Sequence, residues 1–197
     1  MEARATEVLA ALRNNNLSVE AKTAHVTKLK SEIKQKNVPD GAVPTVFEAF
    51  RCAISSQHSS LSGAGFSALG HLLKRLYLQE QHQAVANQGR HTYPLLLERL
   101  GDHKERIRAQ AAQGFTDFWP ASSVEVEHHV LEVALVGKNP RAKETSMNWL
   151  LTVCSLPPHS HSYTIVNASF SRVDDEGAWP PFPILCTKPC RLPRRCR

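Results

Sequence analysis

A polar turn followed by an amphipathic run recurs along this chain at a nearly constant interval, and an interval of that size admits few folds. The second helices of four candidate pairs start near residues 18, 61, 104 and 141, at spacings of 43, 43 and 37 residues. A unit of two helices cannot bury its apolar face alone, so such units stack side by side and share one continuous core. The spacing therefore predicts an all-α solenoid of about four helix pairs over residues 1–151. Its period sits around the roughly 40–47 residues of HEAT and armadillo units.

Apolar periodicity supports each pair in turn. In the first, Ala3 to Arg13 precedes Ser18 to Lys36, whose buried face carries Val19, Val26, Leu29 and Ile33. Pro39 and Gly41 break that helix. Pro44 opens the second pair, with Val43, Val46, Phe47, Phe50 and Ile54 facing Leu69, Leu72, Leu73 and Leu76. Glu80 to Arg90 is polar enough to read as a frayed connector before Pro94 marks the third pair, carrying Tyr93, Leu96, Leu97 and Leu100. Asp102 and Glu105 have capping-box spacing ahead of a stripe of Ile107, Ala111, Phe115 and Phe118, and Pro120 is expected to stop that helix. Ser122 and Glu125 repeat the capping-box spacing and open a fourth pair with Val124 to Val136. Asn139 as N-cap and Pro140 at the first helical position start the last helix, with Ala142, Ser146, Trp149 and Leu150 on one face.

Beyond Leu151 the helical period stops. Residues 152–197 hold seven of the twelve prolines and four of the five cysteines, and read as an irregular, disordered tail outside the array. The net charge of +6 and pI near 9.2 favour an acidic partner. No run is long and apolar enough to span a bilayer, so no membrane partner is expected. Met1 to Asn16 mixes charge into a helical pattern and is not a secretory signal. The cysteines give no disulfide framework, and an intracellular, reducing compartment is expected.

The turns reading Gly101-Asp-His-Lys-Glu-Arg-Ile-Arg108 and Gly137-Lys-Asn-Pro-Arg-Ala-Lys-Glu144, with Ser18 to Lys34 and Gly70 to Leu76, resemble a TOG domain of the CLASP family in its fungal form. The resemblance covers residues 1–151 and implies a partial TOG domain, a HEAT-repeat array whose intra-pair loops line one edge and contact tubulin. It further implies a microtubule-stabilising protein of the mitotic spindle, in the cytoplasm and cytoskeleton with the nucleus as a further location, and kinetochore or spindle proteins as additional partners. Carried over loop by loop, the tubulin edge consists of Asn15, Asn16 and Lys22, then His58, Ser59 and Ser60, then Lys104 and Arg108, then Lys138, Arg141 and Lys143. Tubulin's surface is acidic, so cations on rigid turns steer and orient it without catalysis. The sequence departs from the family pattern at Val19, where many tubulin-binding TOG domains carry an aromatic anchor, which lowers the expected grip.

Other chemistry is weaker. Cys186, Cys190 and Cys196 with His159 and His161 lack paired C-x2-C knuckles, so no metal is expected. His128 and His129 are adjacent, point about 100° apart on a helix, and read as surface polar residues. Asn167-Ala-Ser169 is a sequon without a signal peptide, and Gly63-Ala-Gly65 suits close helix packing better than a phosphate loop. The basic tail Arg191 to Arg197 lacks base-stacking aromatics, and no nucleic acid partner is expected. No nucleophile and base set stands out, so the chain reads as a binding module without cofactors. The alternative function is a HEAT-repeat adaptor that docks another protein with little tubulin affinity.

Overall fold

The computed structural model describes residues 1–154, and every regular element among them is helical. Seven helices follow in order: α1 (Glu2–Arg13), α2 (Val19–Gln35), α3 (Val43–Ile54), α4 (Ser59–Leu78), α5 (His82–Leu100), α6 (Glu105–Glu127) and α7 (Pro140–Cys154). A 3-10 turn at Asp40–Ala42 leads into α3, and a π-helical segment at His128–Ala134 separates α6 from α7. Helices α1, α3 and α5 and the π segment pack in sequence as one layer, and α2, α4, α6 and α7 as the other. The layers meet within each pair, as a solenoid requires. Expected tail features at Cys186, Cys190, Cys196, His159, His161, Asn167 and Arg191 to Arg197 lie outside the described residues. Helix α7 itself continues past Leu151 to Cys154.

The apolar stripes become the core. Val26, Leu29, Ile33, Val46, Phe47, Phe50, Ile54, Leu72, Leu76, Tyr93, Leu96, Ala111, Phe115 and Phe118 are all fully enclosed, while Val19, Leu97 and Leu150 are half-buried at its margin. Hydrogen bonds at a sequence distance of about one repeat tie successive pairs together. Arg75 donates from Nε to the Ile33 carbonyl (3.0 Å) and also reaches the Lys34 carbonyl, satisfying acceptors that the end of α2 leaves open. Gln79 exchanges two 2.9 Å bonds with the backbone of Val38, Tyr77 Oη donates to the Asp117 carbonyl (2.7 Å), and Trp149 Nε1 donates to Thr116 Oγ1 (3.0 Å).

Four local expectations need correction. Glu80 to Arg90 is not a frayed connector: α5 starts at His82, buries Val85 and Gly89, and runs straight through Pro94. Proline removes the donor for the carbonyl four residues back, which belongs to Arg90, and Arg90 lies on the solvent side. Pro120 does not stop α6 either. The break falls at Ser122, with φ −157° and ψ 58°, where the Ser122 hydroxyl is drawn to the Tyr93 hydroxyl instead of capping a new helix. Asp102 does not cap α6: it accepts the Lys104 N–H (2.9 Å), and Lys104 takes the N-cap position. His129 is no surface residue: half-buried, it packs its ring 5.0 Å from that of Tyr93 and bonds the Glu125 carbonyl through Nδ1 (2.7 Å). The remaining caps hold as expected, Asn139 Oδ1 accepting from the N–H groups of Arg141 (3.0 Å) and Ala142 (3.4 Å).

Gly65 explains how α4 lies so close to α3. A Cβ there would stand 3.0 Å from the Ile54 backbone nitrogen and 3.0 Å from Ala53 Cβ, whereas one on Gly63 would meet nothing nearer than Gln110 Oε1 at 3.7 Å. Gly65→Ala is expected to cost about 1–2 kcal/mol through overpacking, despite alanine's better helix propensity. Gly63→Ala, which gains the propensity alone, is expected to stabilise by up to about 1 kcal/mol. Urea titrations followed by circular dichroism check the pair, and shifts of the same sign would refute the close-packing account.

Candidate functional site

Four turns join the helices within pairs, at residues 14–18, 55–58, 101–104 and 135–139. From the second onward, each is tied to the next. Arg99, at the end of α5, donates from Nη2 to the carbonyls of Ser55 (2.5 Å) and Ser56 (3.4 Å), and Lys104 Nζ bonds Ser59 Oγ. Asn139 Nδ2 donates to the Gly101 carbonyl (3.4 Å). The second, third and fourth turns thus form one continuous edge.

The residues expected to line that edge lie in the four turns or within one helical turn of them, in different states. Asn15 and Asn16 are exposed in the first turn, where Asn14 Oδ1 accepts the Asn16 N–H (2.9 Å), and Lys22 is half-buried one turn into α2. His58, Ser59 and Ser60 are exposed at the start of α4. Lys138 on the fourth turn and Arg141 and Lys143 in the first turn of α7 are exposed, and among the described residues they form no ion pair. Arg108 differs: its Nη1 turns back to the carbonyls of Asp102 (3.1 Å) and His103 (3.3 Å), so it braces the third turn. Val19 packs half-buried against the core and projects nothing.

Periodicity alone missed Arg99 as a member of the edge. It is 5% exposed, and its Nη1 pairs with Asp102 Oδ2 at 3.1 Å. Its position carries a signal in hindsight, because Thr92, Leu96 and Arg99 lie on one helix face and a cation on a buried stripe needs buried acceptors. Burial would raise the Asp102 pKa, but the Lys104 N–H, the Arg99 guanidinium and nearby His103 outweigh it and hold the carboxyl below its ordinary range. At neutral pH Asp102 is therefore a carboxylate saturated with donors. Glu20 is also held low, by its own backbone N–H and the Ser18 hydroxyl.

The family model described as CLASP N terminal matches residues 1–173. The chain belongs to the CLASP N-terminal family. Protein STU1 of Coccidioides immitis (strain RS) is 75% identical over 150 residues, 76% of this chain and 12% of that protein. Protein stu1 of Aspergillus fumigatus is 68% identical over 155 residues, 79% of this chain and again 12% of the relative. The chain thus spans about an eighth of the length of these curated relatives. Among solved structures, the CEP104 TOG domain superimposes with a TM-score of 0.59 at 17% identity, covering 86% of this chain and 73% of that one. A structure of the TOG domain of human Cep104 gives 0.54 at 18% identity, covering 77% and 64%. These likenesses establish the fold as a HEAT-like solenoid of the TOG type. In this CLASP-family chain exposed cations gather at the fourth turn and the start of α7, while Arg99 and Arg108 are used internally to brace the third turn.

Proposed function

We propose that the loop edge binds tubulin, and that the chain is the binding module of a CLASP-type protein that stabilises dynamic microtubules and supports the mitotic spindle. The observation that carries this reading is the row of exposed Lys138, Arg141 and Lys143, continuous through Asn139 and Gly101 with Lys104. Positive side chains on turns held to one another by side-chain hydrogen bonds lose little freedom on docking and attract an acidic surface. Their role is to steer and hold a protein, with no chemical step, in the cytoplasm, on the cytoskeleton and spindle, and in the nucleus. Kinetochore or spindle proteins would join as further partners.

Reversing Lys104 and Lys138 together to glutamate is expected to weaken co-sedimentation with microtubules at least tenfold, because two attractions become repulsions. Affinity of the parent should also fall as salt rises. The helical circular dichroism spectrum should not change, since neither side chain is buried. Equal binding by the double variant and the parent would remove the edge from the interface. A parent chain that does not bind tubulin at all would favour the docking-adaptor function.

A further inference from the structure

We infer that the outer face formed by the last turns of α2 and α4 is a docking surface for an acidic segment of this same chain, Asp174-Asp175-Glu176, with Trp179 covering Leu78 at its margin. That segment lies just past residue 173, where the family match ends, so the contact belongs to this chain and not to the family pattern. The inference is independent of the tubulin reading, because this surface lies at the helix ends remote from the turn edge.

Charge comes first. Residues 28–36 and 70–78 carry six lysines or arginines against a single carboxylate, Glu32. Glu32 is turned toward α1: its carboxylate stands 3.7 Å from the amino group of Met1, 3.9 Å from Arg4 Nε and 3.9 Å from Lys36 Nζ. Helix α4 contains no aspartate or glutamate from Ser59 to Leu78, and Glu20 sits at the opposite end of α2. On the neighbouring segments Asp117 accepts from Gln113 and Asp40 from Gln81. The face shared by α2 and α4 therefore presents Lys30, Lys34 and Lys74 with no carboxylate from either helix among them.

Geometry gathers these cations. Lys30 Nζ donates to Ser67 Oγ across the two helices (3.3 Å), and the guanidinium of Arg75 donates to the carbonyls of Ile33 (3.0 Å) and Lys34. The backbone of Lys34 is thus fixed beside the residue that follows Lys74. One helical turn past Lys74 stands Leu78, 64% exposed and, among the described residues, the one large apolar side chain so exposed ahead of Val124. Lysines beside an exposed leucine suit a peptide that carries carboxylates and, three residues on, an aromatic ring.

The acidic run of this chain has the reach. Helices α2, α4, α6 and α7 each start at an intra-pair turn and run the same way, so Cys154 ends on the same rim as Gln35 and Leu78. Neighbouring helices of a layer lie about 10 Å apart, which puts α4 about 20 Å from α7. Twenty residues lead from Cys154 to Asp174; a chain of that length spans at most about 65 Å, and an unrestrained coil averages about 25 Å. Asp174, Asp175 and Glu176 are also the only acidic residues after Cys154, against six basic ones. The basic remainder is repelled by the same lysines, so it is this run that seats there.

The test treats the full chain with a water-soluble carbodiimide, which joins a carboxylate to an amine only where the two are in contact. An equal mixture of unlabelled and 15N-labelled protein is used, and the joined peptides are read by mass spectrometry. The expected result is coupling of residues 174–176 to Lys34 or Lys74 within single molecules, about tenfold above coupling to Lys138 or Lys143, and lost in high salt. Lys138 and Lys143 are exposed and nearer in sequence, so a segment without a seat would couple to them first. Exchanging the charges, Lys34→Glu and Lys74→Glu together with Asp174→Lys, Asp175→Lys and Glu176→Lys, should restore coupling between the same positions with helical dichroism unchanged. Coupling to Lys138 and Lys143 at the level of Lys34 and Lys74 overturns the seat, as does a folded charge-exchanged variant that couples elsewhere. Pairs of mixed label alone would overturn it in favour of a second copy. No tubulin enters the measurement, so this result and the tubulin reading stand or fall separately.

Discussion

Asp117→Asn is expected to raise thermal stability at pH 8 by roughly 5–10 °C and to change it little at pH 4. Asp117 sits in α6, where burial pushes its pKa from the ordinary 3.8 to about 7 against the opposing hydrogen bond from Gln113. Gln113 Nε2 donates to Asp117 Oδ1 at 2.8 Å, and an asparagine oxygen can accept that bond equally well. The direction follows from proton binding. Between the two pKa values the folded protein holds a proton that the unfolded chain has lost, so stability falls as pH rises across that window and stays low above about 7. Asparagine removes this dependence. A shift of this size corresponds to an upper bound of about 4 kcal/mol, and because the residue keeps some contact with solvent, 2–3 kcal/mol is the working expectation. Thermal melts at pH 4, 6 and 8 check it. A variant whose gain over the parent does not grow with pH would show that Asp117 is ionised in the folded state as readily as in the unfolded chain.

The pairs were legible in the sequence because burial imposes its period directly: Val26, Leu29 and Ile33 or Leu69, Leu72 and Leu76 recur at helical spacing only if one face is enclosed. Prolines were misread for a physical reason. Pro94 and Pro120 each remove one hydrogen bond, and packing of Tyr93, Phe115 and Phe118 on either side of them outweighs that loss. Local rules therefore placed the third pair's start too late and the end of α6 too early. Ser122 illustrates the same limit, since its role is set by the hydroxyl of Tyr93, 29 residues away. The turns of the edge were found because polar, helix-opening residues cluster at them. Which of their cations project was not, since Arg108 is turned inward by the carbonyls of Asp102 and His103 while Arg141, equally basic in sequence, meets no such acceptor. Distances between carbonyls and guanidinium groups across a fold have no local signature.

Phe118→Ala is expected to cost about 3–5 kcal/mol and to split the unfolding transition in two. Phe118 is fully buried, with its ring 6.2 Å from that of Phe47 and 5.3 Å, edge-on, from that of Tyr93. It thus joins α3 of the second pair to α5 of its own pair and links both layers across the boundary between repeats. In a solenoid, cooperativity is carried by contacts between neighbouring units, so a cavity at such a boundary weakens the coupling as well as the total. The loss approaches the whole stability of a marginal domain, typically about 5–15 kcal/mol. Trp119 and Trp149 lie beyond the boundary and pack edge-on at 6.1 Å, so their fluorescence reports the third and fourth pairs. Circular dichroism reports all of the helices. In a Trp179→Phe background, which leaves those two as the only tryptophans, urea should produce coincident transitions by tryptophan-selective fluorescence and dichroism in the parent. In Phe118→Ala the fluorescence midpoint should fall below the dichroism midpoint, since α1 to α4 keep their own interface while the later pairs come apart. Coincident transitions with a loss under about 1 kcal/mol would mean that the ring cluster does not carry the coupling between the two halves of the array.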